Sequence, residues 1–216
     1  MFSQSEENYI KAIFHLQKTK DTVSTNSVAE RLHTRPASVT DMLKKLKIKG
    51  VIEYTPYQGV HLTGEGKKTA LEIVRRHRLW EYFLVNTIGF NWDEVHEIAE
   101  ELEHIQHPLL IDKLDAFLGY PKFDPHGDPI PDKNGKMALT NYKMLIDLGR
   151  NESGLFTSVG LQTPELMLML TQKKVALGDR LTVIEKYEFD QSLDLLVNED
   201  WRVSLSYRLG RYILVT

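Results

Sequence analysis

Residues 25–62 read TNSVAERLHTRPASVTDMLKKLKIKGVIEYTPYQGVHL, and their punctuation decides the fold. Ser24 can cap a short helix from Thr25 to Leu32, inside which Ser27 and Glu30 stand at capping-box spacing. Pro36 suits the first turn of the next helix, because a proline there forfeits only an N–H that has no intrahelical partner. That helix carries Val39, Met42, Leu43 and Leu46 on one stripe and stops at Gly50. Two β-rich runs follow, Val51–Tyr54 and Val60–Leu62, around a turn at Thr55-Pro56-Tyr57-Gln58-Gly59. Upstream, Tyr9, Ile10, Ile13, Phe14 and Leu16 recur at helical period. Three helices and then a hairpin is the order of a winged helix-turn-helix.

The outer face of the third helix has the chemistry of a DNA reader. Arg35, Ala37, Ser38, Thr40 and Asp41 lie near its N-terminus, where short polar side chains can reach base edges. Lys44, Lys45, Lys47 and Lys49 follow at positions suited to phosphates, with Tyr57 at the wing tip. Charge agrees with this division. Residues 1–80 hold 14 Lys+Arg against 8 Asp+Glu, and the remainder is acidic, so a polyanion partner suits the head alone.

Downstream, Thr63 caps a long helix to about Ile88, whose last part is apolar nearly all round and suited to burial between two subunits. A further helix runs from Asn91 to about His107, and another from Pro108 to Gly119. On the first of these, His96, Glu100, Glu103 and His104 fall along one stripe; His77 and Glu81 stand one turn apart on the preceding helix. With no cysteine in the chain, any metal must be held by imidazole, carboxylate, amide or carbonyl groups, a set that suits hard or borderline divalent cations. The stretch GYPKFDPHGDPIPDKNG (119–135) holds four of the eight prolines and reads as a stiff linker or wrapped loop. Beyond it, five short strands and one helix capped by Thr163-Pro164 suggest a small barrel. No apolar run approaches the ~20 residues of a membrane span, and the opening MFSQSEENYI lacks a basic and apolar leader, so the chain reads as cytoplasmic.

The segments SEENYIKAIFHL, AERLHTRPASVTDMLKKLKIKGVI, VHLTGEGKKTA, RRHRLWEYFL, VHEIAEELEH and HGDPIP, in that order, resemble the diphtheria toxin repressor family of iron- and manganese-dependent repressors. The tail LTVIEKYEFDQSLDLLVNEDWRVSLSYRLGRYILV is similar to the SH3-like (FeoA-like) domain of its longer members. The resemblance implies a mainly α protein with a small β domain. Its winged helix-turn-helix would span 1–72, a helical dimerisation and metal-binding domain 73–140, and an SH3-like β-barrel 141–216. It also implies two metal sites. The regulatory one would use Asn8, Glu100, Glu103 and His104; the ancillary one would use His77, Glu81, His96, Gln162 and Glu165.

Two positions depart from the family pattern. Position 8, usually Met or Asp, is Asn8, and Lys11 replaces a Glu that small manganese regulators use for a paired-metal site. Glu100 stands where iron-type members carry Cys, which favours Mn2+ over Fe2+, with Zn2+, Co2+ or Cd2+ as substitutes in vitro. The expected protein is a homodimer that represses metal-uptake genes at a palindromic operator in double-stranded DNA when metal-loaded. A cation joining position 8 to residues 100–104 would fix the two recognition helices about one DNA turn, ~34 Å, apart.

Two other classes compete. A winged-helix regulator of a non-metal ligand would take up no stoichiometric metal. A di-metal bundle enzyme needs E-x-x-H on two helices, but only Glu101–His104 matches, and HEIAE (96–100) misses H-E-x-x-H at its last residue.

Overall fold

The computed structural model describes residues 1–18, 22–55 and 58–216, so Tyr57 lies outside the described residues. The chain divides into two compact units. One comprises Met1–His77, Glu100–Leu114 and Pro131–Lys136; the other comprises Arg78–Ala99, Asp115–Ile130 and Met137–Thr216.

The first unit opens with α1 (Gln4–Gln17), started by a complete capping box in which Ser3 and Glu6 satisfy each other's backbone N–H. Ser24 caps α2 (Thr25–Arg31) by accepting from the Ser27 N–H. Pro36 opens α3 (Pro36–Ile48), and Gly50 follows it with a φ of 74°. The wing pairs β1 (Ile52–Thr55) with β2 (Gly59–Leu62) in antiparallel register, and a bridge from Val23 to Val60 widens it. Ile10, Ile13, Val28, Val39, Leu43, Leu46 and Ile52 form one core, while Met42 is only partly buried at its edge. The apolar stripe read from the sequence is therefore the face that docks α3 on its own domain, and its polar face is left outside.

The long helix α4 (Gly64–Phe83) carries His77 and continues as a wider turn over Leu84–Ile88 that Gly89 ends at a φ of 89°. Two shorter helices follow, α5 (Val95–Leu102) and α6 (Pro108–Phe117). Here the structure corrects the sequence reading. The helix does not reach His107, and Glu103 and His104 stand in a turn beyond its end. The Arg76 Nε–H donates to the Glu103 carbonyl at 2.6 Å, while the Ile105 N–H closes a turn on Leu102. A carbonyl taken by a guanidinium need not continue the helical ladder.

Among the described residues, the second unit holds an antiparallel sheet ordered β3 (Lys143–Met144), β8 (Ile213–Val215), β4 (Ser153–Val159), β5 (Arg180–Lys186), β6 (Leu193–Val197), β7 (Trp201–Leu205). Helices α7 (Pro164–Gln172) and α8 (Tyr207–Gly210) accompany it. Phe156, Leu170, Leu181, Val183, Leu193 and Leu195 fill its core. The two-residue β3 and four-residue α8 lack any period long enough to read from sequence.

The proline-rich stretch is structured as a wrapped loop. Asp124 accepts from the N–H groups of His126 and Asp128, and His126 Nε2 lies 2.8 Å from the Trp92 carbonyl. Gly127 has a φ of 82°, and a Cβ there would stand 1.7 Å from the Thr157 carbonyl oxygen, so only glycine lets the loop lie this close to β4.

Candidate metal centre and nucleic-acid interface

Several side chains of the first unit converge on Glu103 and on the groups beside it. Glu103 is fully buried. Its carboxylate lies 2.7 Å from Lys11 Nζ and 2.7 Å from His77 Nδ1. The same ammonium donates to Glu100 Oε1 at 2.7 Å. Glu7, which sequence reasoning passed over, is buried between Arg76 Nη2 at 2.5 Å and His104 Nδ1 at 2.7 Å. Holding Nδ1 in this way turns the other ring nitrogen toward Glu103, with Nε2 3.9 Å from that carboxylate. Arg31, which burial pushes down in pKa, is steadied by the negative charge of Glu100.

The pieces come from far apart in the chain. On α1, Glu7, Asn8 and Lys11 share a face because residues three and four apart are neighbours on a helix. His77 comes from α4, Glu100 from the last turn of α5, and Glu103 and His104 from the turn after it. His77, Glu100 and Glu103 each offer one ligand atom, and these atoms lie within 4.8 Å of one another. Asn8 Oδ1 is buried without a hydrogen-bond partner, an oxygen whose lone pairs a cation would satisfy. Carboxylate and imidazole are donors that Mn2+ or Fe2+ accepts, so His77, Glu100 and Glu103 fit one divalent cation.

The second unit contains another cluster, and it is one that sequence reasoning only half found. Glu81 is fully buried, with His96 Nδ1 at 3.3 Å and His126 Nδ1 at 3.6 Å. Together Glu81, Asp124 and His126 again bring one ligand atom each within 4.8 Å. Burial opposes charge on His126, but Glu81 and Asp124 outweigh it and push its pKa up to about 9. Burial and the neighbouring Glu81 push Asp124 up to about 7, against the pull of Arg78. Asp124 Oδ2 and His126 Nδ1 have no hydrogen-bond partner. Gln162 donates to Asp128 at 3.2 Å, and Glu165 is exposed in the first turn of α7. Neither Asp124 nor His126 falls on a periodic helical face, and only the D-x-H spacing inside HGDPIP and its prelude could have drawn attention to them.

The residues read as base- and phosphate-facing lie on and just before α3. Arg35, Ala37, Ser38, Asp41, Lys44 and Lys45 are exposed, and Thr40 bonds back to the Pro36 carbonyl. Three of the lysines read as phosphate-facing have protein partners, Lys44 among them with Asp41 at 3.3 Å. Lys47 donates to the Tyr54 carbonyl at 2.9 Å, which ties the wing to α3, and Lys49 pairs with Glu6 at 2.8 Å.

Comparison with known proteins agrees along the chain. Residues 1–60 match the iron-dependent repressor N-terminal DNA-binding domain, and residues 63–132 match the iron-dependent repressor metal-binding and dimerisation domain. The chain belongs to the diphtheria toxin repressor family.

The regulator MntR of Oceanobacillus iheyensis is 36% identical over 124 residues, 57% of this chain and 84% of that protein. The iron-dependent repressor IdeR of Mycobacterium leprae is 31% identical over 125 residues, 58% of this chain and 54% of that protein. A manganese-dependent transcriptional repressor solved in complex with manganese is 33% identical, with a TM-score of 0.89 over 98% of this chain and 99% of that one. ScaR with bound Cd2+ is 28% identical, with a TM-score of 0.81 over 98% of each. Family membership makes this protein a metal-dependent, DNA-binding transcriptional repressor and not an enzyme. No helix among the described residues is long and apolar enough to cross a membrane.

Proposed function

We propose that this protein is a homodimeric repressor of metal-uptake genes, activated by Mn2+, with Fe2+ as the alternative activator. The single observation that carries the reading is the meeting of α1 with the turn after α5 at Glu103. Ile10 and Ile13 of α1 are core residues of the DNA-reading domain, while Glu7 and Lys11 of the same helix line the acidic cluster. Any change of charge in the cluster therefore acts on the helix against which the reading head is packed.

Asn8, Glu100, Glu103 and His104 would hold the regulatory cation, with His77 beside them on Glu103. When bound, a divalent ion supplies a double positive charge among carboxylates whose present partners are protein cations. Glu7 keeps the His104 ring oriented, and Arg76 holds both Glu7 and the backbone of Glu103 in place. Asn8 as a ligand would bring α1 into the same set, which would then be complete only with α1 and the turn together. A ligand that prefers that arrangement shifts the population toward it. The DNA-competent dimer would place Arg35, Ala37, Ser38, Thr40 and Asp41 of each α3 in successive major grooves of a palindromic operator, with Lys44 and Lys45 on phosphates. Oxygen and imidazole donors without a thiolate suit Mn2+, and although the affinity series places Fe2+ above Mn2+, cellular supply decides between them.

The ancillary site of the family is proposed on Glu81 and His96, extended by Asp124 and His126. His77 is engaged with Glu103, while Gln162 acts through Asp128 and Glu165 stands apart. The test is anaerobic binding of a promoter fragment followed by fluorescence anisotropy while Mn2+ and Fe2+ are titrated separately. Saturable binding at micromolar Mn2+ supports the proposal; binding driven by Fe2+ alone would reassign the metal, and binding indifferent to both would refute it.

A further inference from the structure

Lys11 occupies the cluster as a cation in its own right. Its ammonium stands 2.7 Å from a carboxylate oxygen of Glu100 and 2.7 Å from one of Glu103, and its side chain is only 12% exposed. Glu7 is matched separately by Arg76, and Arg31 acts on Glu100, while Lys11 pairs with both carboxylates proposed as metal ligands. An ammonium carries donors and no lone pair, so it pairs with these oxygens but cannot join them in binding an ion. Its flexible four-carbon stem lets it leave the carboxylates without α1 moving.

We propose that Lys11 is a built-in competitor for the regulatory metal, one that sets the concentration at which the repressor switches on and restricts the cluster to a single cation. The inference rests on the regulatory site proposed above. Because the ammonium is tethered one turn from Asn8, its effective concentration at Glu103 is high and independent of the medium. Metal must displace it from Glu100, Glu103 or both, so part of the metal's binding free energy is spent on breaking these pairs. A carboxylate at position 11 would reverse the sign: it would attract a second ion in place of repelling it.

Isothermal titration with Mn2+ tests this without reference to DNA. Heat that disappears in Glu103→Gln is assigned to this cluster, which separates it from uptake elsewhere in the chain. Against wild type, Lys11→Gln should bind Mn2+ at this cluster about tenfold more tightly, a difference of ~1.4 kcal/mol. Its metal-free form should melt at a lower temperature, since two buried or half-buried carboxylates lose their counter-charge. Lys11→Arg keeps a tethered cation and should stay within about threefold of wild type. Lys11→Glu should take up one more Mn2+ per chain. If Lys11→Gln fails to fold, the Arg and Glu variants still decide: an unchanged stoichiometry in the Glu variant overturns the proposal. Unchanged or weaker Mn2+ affinity in a folded Gln variant overturns it too. If wild type itself shows no heat that Glu103→Gln removes, the regulatory site falls, and the Lys11 reading with it.

Discussion

Glu103 takes up charge from two directions, and it does so while fully buried. A buried carboxylate is costly unless paired, so its tolerance here comes from Lys11 and His77, each at 2.7 Å. Glu103→Gln keeps the shape and removes the charge that both partners address. Changing the outer partners of a metal ligand typically costs about 10–100-fold in affinity, so losing the ligand should cost at least about 100-fold in Mn2+ affinity, with far-ultraviolet dichroism unchanged. At Gly127 the constraint is steric. With a φ of 82° and a Cβ position 1.7 Å from the Thr157 carbonyl, Gly127→Ala should lose about 2 kcal/mol or more in urea unfolding and loosen the Asp124–His126 loop. The pairs His77/Glu81 and His96/Glu100 were legible because helical spacing gathers them, whereas Glu103 and His104 were singled out on a helical period that stops at Leu102. Glu7 was not, since it acts by orienting His104, a contact between residues 97 apart that no local period encodes.

At the level of elements, caps and apolar stripes wrote most of the reading head into the sequence. Ser24, Pro36 and Gly50 punctuate α2 and α3 where expected, and Val39, Leu43 and Leu46 are buried. The helix after Asn91 was overextended because its end is set by Arg76, a tertiary partner that takes the Glu103 carbonyl. Asp124 and His126 were missed because a proline-rich loop has no periodicity, so nothing local marks them as neighbours of Glu81. The start of α1 gives two measurable consequences. Ser3→Ala removes half the capping box and should cost about 1 kcal/mol in stability. Burial raises the Glu6 pKa, but Lys49 and the Ser3 N–H outweigh it and hold the carboxyl below its ordinary 4.5. The stabilisation is thus complete above about pH 4.5 and is lost as pH falls through the lower folded value. Melting curves taken down this range should drop less steeply for Lys49→Met than for wild type.

At the scale of the whole molecule, the two matched domain models divide the labour between DNA binding on one side and metal binding with dimerisation on the other. We propose that exposed apolar side chains of the first unit take part in the contact with a second copy. In the first unit Leu109 and Leu110 of α6 are 61% and 41% exposed, more than a solvent-facing helix needs. Leu109→Lys should weaken self-association by at least about tenfold in sedimentation equilibrium, because a desolvated ammonium replaces buried apolar area. Operator affinity should fall with it, since two recognition helices bind a palindrome only when held together.

The central claim, that a divalent cation at Glu100, Glu103 and His104 licenses DNA binding, is tested most directly by one comparison. Protein stripped with a chelator and protein reloaded anaerobically with Mn2+ are titrated against the same promoter fragment at fixed salt. The loaded form is predicted to bind at least about 100-fold more tightly, ~2.7 kcal/mol, and Glu103→Gln to behave like the stripped form in both conditions. Equal affinity of the stripped and loaded forms would contradict it.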